Sequence, residues 1–154
     1  MNLVDELHAV ARALSGANVR YAICGGIAVT IHGATRTTKD IDILVARGDL
    51  PHALAAVRTV GYEYAALPMT FEAGTPKERH VQRVTKLEDQ QTLVVDFLLE
   101  EAAFAGMLDG RVEIALAEGV LTVVSRDTLL RMKRLAGRDQ DRADIEKLEA
   151  GDEE

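Results

Sequence analysis

The strongest constraint on the fold is one acidic residue, Asp96, inside an apolar run at residues 93–99. A run of this length and composition predicts a strand, which we place at residues 92–99 near the centre of a sheet. A lone carboxylate there would be costly, so Asp96 must be paired, protonated or bound to a metal ion. The alternatives are an edge-strand position or an ion pair with an arginine such as Arg36.

Hydrophobic periodicity and turn residues predict a mixed order of helices and strands along the chain. Helices are predicted at residues 2–15, 27–32, 50–60, 126–135 and 140–149. Strands are predicted at residues 21–24, 40–45, 62–67, 79–85, 92–99, 112–116 and 120–124, with a loop at 69–75. This order is typical of an α/β (α+β) fold in which helices flank a mixed, partly antiparallel sheet.

Length and composition predict an ordinary globular protein. A chain of 154 residues fits a single domain, with a core at residues 2–124, C-terminal helices at 125–149 and an acidic tail at 150–154. One cysteine, Cys24, cannot form an intramolecular disulfide. With no secretory signal and no apolar run approaching the ~18 residues of a membrane span, we expect a cytoplasmic location and no membrane contact.

The charge distribution limits the class of binding partner. The chain carries 18 Lys and Arg against 25 Asp and Glu, a net charge of −7, which argues against general binding of duplex DNA. Basic residues nevertheless cluster at 126–138 and at 77–86. Such clusters suit a phosphorylated small molecule or a short RNA segment, although solvated helix and strand faces would explain them equally well.

Two acidic residues, Asp40 and Asp42, begin the predicted strand at 40–45. Residues two apart in a strand point to the same face, so the two carboxylates lie side by side and repel unless a cation separates them. Mg²⁺ is commonly held by a few carboxylates together with substrate phosphates. If the strand with Asp96 is a neighbour, three carboxylates converge around one or two Mg²⁺ ions. The alternative is an acidic strand end that is open to water.

Gly25 and Gly26 lie where a predicted strand turns into a predicted helix. Backbone amides at such a junction bind phosphate, and the missing side chains allow close approach. The surrounding sequence matches neither the Walker A loop nor the dinucleotide-binding fingerprint. A simple tight turn is the alternative interpretation.

Taken together, these motifs resemble a known superfamily. The glycine pair, the following segment through His32 and Gly33, the stretch from Arg36 to Asp42, and the distant Asp96 are similar to nucleotidyltransferases related to DNA polymerase beta. The AbiEii-type group, which includes toxins of bacterial toxin–antitoxin systems, is the most similar. The segment 129–145 also resembles the closing helices of that group, and the resemblance covers residues 2–148.

The resemblance implies a role for each matching residue. Gly25 and Gly26 would cradle a nucleoside triphosphate, Asp40 and Asp42 would hold the Mg²⁺ ions that bridge it, and Asp96 would share one metal and help to deprotonate an acceptor hydroxyl. Further candidates for phosphate contacts are Arg36, Lys39 and Lys133. A solvent-facing or Asp-paired role is the alternative for the first two, and a plain surface lysine for the third.

The expected activity is Mg²⁺-dependent transfer of NMP from NTP to a hydroxyl on an RNA end, a protein side chain or a small molecule. Alternatives are a non-catalytic nucleotide-binding or protein-interaction module and an antibiotic-type small-molecule adenylyltransferase. Barely fifty residues follow the predicted strand that holds Asp96. The acceptor pocket is therefore expected to be open, completed by a second copy in a homodimer, or built with a partner such as a cognate antitoxin.

Overall fold

The protein is described by a computed structural model over residues 2–34 and 38–151. The helices are α1 (Leu3–Gly16), α2 (Gly25–Ile31), α3 (Leu50–Arg58), α4 (Arg126–Ala136) and α5 (Asp139–Ala150). The strands are β1 (Tyr21–Cys24), β2 (Ile41–Val45), β3 (Tyr64–Ala65), β4 (Met69–Phe71), β5 (Arg79–Glu88), β6 (Gln91–Leu99), β7 (Val112–Leu116) and β8 (Gly119–Val123).

All eight strands join one mixed sheet in the order β3-β5-β6-β2-β1-β8-β7, with β4 paired to β5. The pairs β2–β6 and β1–β8 are parallel, and the remaining pairs are antiparallel. Helices α2 and α4 contact each other, as do α4 and α5, and α1 lies against α3 and β8. The predicted α/β class with a mixed, partly antiparallel sheet is therefore confirmed.

The middle of the sheet places four residues in one transverse row. Arg83 of β5 lies opposite Asp96 of β6, Asp96 opposite Asp42 of β2, and Asp42 opposite Cys24 of β1. Directly opposed residues on neighbouring strands have their side chains on the same face of a sheet. The strand with Asp96 is therefore the neighbour of the strand with Asp42, and the register brings the two carboxylates to one face.

Most differences from the predicted elements are small shifts of boundaries. Helix α2 begins at Gly25, two residues before the predicted start, and α3 ends at Arg58 rather than at residue 60. The predicted loop at 69–75 is wrong in part, because Met69–Phe71 form β4 against β5. Three residues are too few for a periodic pattern, and this strand depends on partner residues that lie eight to twelve positions away in the chain.

Apolar side chains from the helices and the central strands form a continuous core. Val10 and Leu14 of α1, Ile23 of β1, Leu44 of β2 and Phe97 of β6 are almost completely buried. Full burial of such a side chain contributes about 1.5–3 kcal/mol relative to its exposure to water. Among the helices of the described residues, none combines the length and the apolar character needed to cross a bilayer.

A buried ionic cluster ties α4 to α5. The ammonium group of Lys133 lies 3.2 Å from Oδ1 of Asp141 and 3.0 Å from Oδ2 of Asp144, and all three residues are buried. Arg138 Nε also donates to Oδ2 of Asp141 at 2.7 Å. Because charges removed from water need partners, Lys133 stabilises the packing of α5 on α4 by pairing with the buried acids of α5.

We expect Lys133→Ala to lower the free energy of unfolding by about 3 kcal/mol, because it takes the ammonium group away from two buried carboxylates. The matched control is Arg134→Ala on the same helix, which breaks a pair with Glu149 in which both side chains are about half exposed. That loss should be at most about 1 kcal/mol. Urea unfolding of both variants measures the difference, and equal losses would contradict the role assigned to Lys133.

Candidate functional site

One cleft of about 540 Å³ brings most of the sequence-predicted site residues together. Its lining includes Gly25, Gly26, Asp40, Asp42, Asp96 and Lys133. Lys39 is exposed and does not line this cleft. Arg36 lies outside the residues that the structure describes.

The β1–β2 and β2–β6 pairs position the carboxylates next to the glycine turn. Asp42 lies on β2 between Cys24 of β1 and Asp96 of β6. Asp40 precedes β2 by one residue and lines the same cleft as Asp42. Since α2 begins at Gly25, directly after Cys24, the glycine turn starts one residue beyond the position opposite Asp42.

Gly25 is needed here for the space it leaves as well as for its backbone conformation. Its φ of 65° lies in the left-handed region, and a Cβ at this position would lie 2.1 Å from Oδ2 and 2.9 Å from Cβ of Asp42. Real side chains do not approach this closely, so only glycine permits the Asp42 carboxylate to pack on the backbone of the turn. The sequence predicts a phosphate role for the glycine pair but does not reveal this contact.

Asp42 has an unusual electrostatic environment. Burial raises its pKa to about 7, with further contributions from the negative charges of Asp96 and Asp40. Within residues 2–34 and 38–151, no group donates a hydrogen bond to this carboxylate. An ionised carboxylate without donors is costly to bury, so Asp42 favours either a proton or a bound cation.

Asp96 forms an ion pair with a residue of the protein itself. Arg83 Nε donates to Oδ1 and Nη2 donates to Oδ2, each at 2.9 Å, in a two-bond fork. This geometry is the strongest form of an arginine–carboxylate pair. The sequence predicts that Asp96 is paired, protonated or metal-bound, and among the described residues it is paired with Arg83. The suggested partner Arg36 lies outside these residues. The basic cluster at 77–86 contains Arg83, but only the β5–β6 register identifies it as the partner.

The carboxylates of Asp40 and Asp42 suit a small divalent cation whose coordination shell is completed by the substrate. Across the described ranges, no group of three or more His, Cys, Asp or Glu side chains is close enough together to hold a metal ion. Asp40 and Asp42 fit Mg²⁺ as a pair, because this ion is often bound by one or two carboxylates plus phosphates and water. That no described residue donates a hydrogen bond to the Asp42 carboxylate supports this fit.

The α4–α5 side of the cleft supplies two residues that the sequence analysis did not single out as site residues. Arg138 and Asp141 line it together with Lys133, and they belong to the buried cluster described above. Asp42 lies close enough to Arg138 to raise the pKa of its guanidinium, although Asp141 has the larger effect. In the sequence, the feature that could have indicated Arg138 and Asp141 is the charged segment 138–144, which lies in the part that resembles the closing helices.

The opposite side of the cleft is mainly apolar and was also not predicted. It consists of side chains from β4, β5, β6 and the 3₁₀ turn Ala102–Phe104, namely Met69, Phe71, Arg79, Val81, Leu98 and Phe104. No short sequence pattern predicts this surface, because it forms only when β4 pairs with β5 and β5 pairs with β6.

Gly25→Ala tests the close contact with Asp42. Gly137 has the same φ of 65°, but a Cβ there would lie 3.7 Å from the nearest heavy atom, so Gly137→Ala carries only the conformational cost of about 1–2 kcal/mol. We expect Gly25→Ala to lose about 2 kcal/mol more than this control, because the added methyl overpacks the site. Urea unfolding measures both, and equal losses would show that the carboxylate does not lie on the turn.

The raised pKa of Asp42 predicts how stability changes with pH. Between its ordinary value of 3.8 and about 7, the folded protein keeps a proton that the unfolded chain releases, so stability falls as the pH rises through this interval. Each pKa unit corresponds to about 1.4 kcal/mol.

Asp42→Asn should remove this part of the pH dependence. We therefore expect the loss of unfolding free energy between pH 5 and pH 8, measured in urea with EDTA present, to be a few kcal/mol smaller in Asp42→Asn than in the wild type. Identical pH profiles would refute the half-buried environment, without a donor among the described residues, that we assign to Asp42.

Comparison with known structures agrees with this fold. The chain matches crystal structures of ANT(2'')-Ia in complex with adenylyl-2''-tobramycin (16% identity, TM-score 0.57, covering 94% of this chain and 86% of the other) and of the lincosamide antibiotic adenylyltransferase LnuA with lincomycin bound (15%, 0.56, 94% and 95%). A Thermotoga maritima protein assigned as a nucleotidyltransferase has 14% identity and a TM-score of 0.62, covering 94% and 90%. At these identities the similarity establishes the fold alone.

The sequence itself provides the family assignment. No curated protein matches this chain in sequence. Residues 6–148, nearly the whole chain, match the aminoglycoside-2''-adenylyltransferase family. The chain therefore belongs to the aminoglycoside-2''-adenylyltransferase family and is a nucleotidyltransferase.

Proposed function

We propose that this protein binds a nucleoside triphosphate with Mg²⁺ in the cleft and transfers its NMP to a hydroxyl group of a small molecule. The observation that supports this most is the register that puts Asp42 beside Asp96, next to the Gly25 turn. Transfer of this kind depends on positioning and on neutralisation of charge, and the cleft offers residues for both.

Each half of the reaction would use different residues. The backbone at Gly25 and Gly26 would bind the triphosphate, with Arg36, Lys39 and Lys133 as candidate phosphate contacts. Asp40 and Asp42 would hold Mg²⁺, and Asp96 would become a third ligand only if Arg83 released one of its oxygens. When bound, Mg²⁺ would neutralise the triphosphate and the departing pyrophosphate.

Asp96 would take the proton of the acceptor hydroxyl. The acceptor oxygen forms a bond to the α-phosphorus while the bond from that phosphorus to pyrophosphate breaks, and the proton passes to a carboxylate oxygen of Asp96. The fork from Arg83 holds the Asp96 carboxylate in place beside Asp42. Arg83 would have to yield one oxygen of Asp96 for this transfer.

The choice of a small molecule as acceptor rests on the family. The family name refers to an aminoglycoside, and the two antibiotic-modifying neighbours were solved with adenylyl-2''-tobramycin and with lincomycin. An RNA end or a protein side chain as acceptor, a toxin–antitoxin role of the AbiEii type, a homodimer and an antitoxin partner stay predictions from the sequence resemblance.

One observation favours a second candidate, nucleotide binding without transfer. Both oxygens of Asp96 already accept hydrogen bonds from Arg83, so this carboxylate is engaged within the protein. A protein that binds nucleotide without transferring it would not require Arg83 to release the Asp96 carboxylate. The two candidates differ in whether bound nucleotide is consumed.

Labelled ATP distinguishes these candidates. Wild-type protein should bind ATP in calorimetry only when Mg²⁺ is present and should transfer labelled AMP to at least one acceptor in a panel of hydroxyl compounds that includes tobramycin and lincomycin. We expect Asp42→Asn to abolish Mg²⁺-dependent binding. We expect Asp96→Asn to keep binding but lower transfer by at least about 100-fold, the typical minimum effect of losing a general base.

Asp109→Asn is the matched control, because it removes the same charge from an exposed position that does not line the cleft. It should bind and transfer like the wild type. Binding without transfer by the wild type would favour the second candidate. Binding that is indifferent to Asp42→Asn would refute both.

A further inference from the structure

The cleft has two chemically different halves, separated by Asp96. On one side lie the glycine turn, Asp40 and Asp42. On the other side, adjacent strands bring Phe71 beside Arg79 and Val81 beside Leu98. If the first half binds the nucleotide, as proposed above, the second half is the surface that faces the acceptor. We refer to it as the acceptor wall, defined by Met69, Phe71, Arg79, Val81, Leu98 and Phe104.

The acceptor wall is mainly apolar. Five of its six side chains carry no charge, and Leu129 and Met132 of α4 line the same cleft. Phe71 is 44% exposed, and its ring centroid lies 5.7 Å from the guanidinium carbon of Arg79. A soluble protein that leaves an aromatic ring open at the edge of a cleft provides a surface for the apolar part of a ligand.

The acceptor wall offers no free carboxylate to a cation. Arg83 occupies both oxygens of Asp96 at 2.9 Å, and Asp141 is paired with Lys133 and Arg138. Among the described residues that line the cleft, the only other carboxylates are Asp40 and Asp42, which belong to the nucleotide half.

Two arginines that are already paired with carboxylates also line this half of the cleft. Arg79 and Arg83 both line the cleft from β5. Arg79 is paired with Glu72, whose side chain is 45% exposed and does not line the cleft. An ammonium group that entered this half would lose water without gaining an unpaired carboxylate, because the carboxylate beside each arginine is already engaged.

We propose that the acceptor of this enzyme is a hydroxyl compound with an apolar portion and low positive charge, and that the acceptor wall rejects polycationic aminoglycosides. The inference rests on the proposed function for its division of the cleft. It distinguishes this chain from the substrate named by its family, because a polycationic sugar needs carboxylates that the acceptor wall does not provide. We assign to Phe71 the contact that selects for the apolar portion of the acceptor.

Calorimetry with three probes tests the proposal. Methyl β-glucoside and hexyl β-glucoside share a sugar and differ only in apolar length, and tobramycin supplies a polycation. Each is titrated into the wild-type protein with and without Mg²⁺ and a non-hydrolysable ATP analogue. We expect hexyl glucoside to bind at least about tenfold more tightly than methyl glucoside, and more tightly than tobramycin at low salt.

Two variants connect the effect to the acceptor wall. Phe71→Ala should reduce the hexyl-to-methyl affinity ratio by about threefold or more, because it removes apolar contact area, and should leave affinity for the ATP analogue unchanged. The matched control, Val120→Ala, truncates an apolar side chain on β8 that is 57% exposed and does not line the cleft, so the ratio should stay as in the wild type.

The possible failures can be told apart. If the ATP analogue does not bind, the proposed function fails, whereas the glucoside ratio is still measured without nucleotide. If hexyl and methyl glucosides bind alike, if neither binds, or if tobramycin binds more tightly than hexyl glucoside, the assignment of the acceptor is overturned.

Discussion

The parallel pairing of β2 with β6 is the constraint on which the candidate site depends. Its register sets Asp42 directly beside Asp96, and two neighbouring carboxylates are stable only if cations or protons offset their repulsion. The protein resolves this differently for the two residues. Asp96 receives Arg83 from β5, whereas Asp42 receives no donor from the described residues and has a pKa of about 7.

This asymmetry gives the cleft its chemical organisation. The half around Asp42 carries two carboxylates, one of them with a raised pKa, next to a glycine turn that admits no side chain. The half beyond Asp96 is internally neutralised and largely apolar. A cation and a polyphosphate suit the first half, and a ligand of low charge suits the second. One face of the sheet thus presents two chemically different surfaces side by side.

Local patterns in the sequence predict the fold class and most of the acidic site. Asp96 stands out because a charge in an apolar strand demands compensation, and the spacing of Asp40 and Asp42 places them on one face. Arg83 was not identifiable as the partner of Asp96, because their contact depends on the register of β5 against β6. Strand β4 was not predictable for the same reason, because a three-residue strand forms only by pairing with its partner strand β5.

The roles of the C-terminal helices illustrate a further limit of sequence reasoning. Lys133 was a candidate for phosphate binding, and the structure gives its ammonium group two buried carboxylate partners. A basic residue in a charged segment looks the same in sequence whether it faces a ligand or a buried acid. Only the packing of α5 on α4 reveals that Lys133 also links the two helices.

The most direct test of the central claim is a carboxyl-carbon NMR titration of Asp42 in protein labelled at aspartate. We predict a pKa near 7 in metal-free protein, and a pKa well below that when Mg²⁺ and a non-hydrolysable ATP analogue are added. A metal-free value near the ordinary 3.8, or a value that Mg²⁺ and nucleotide leave unchanged, would contradict the account.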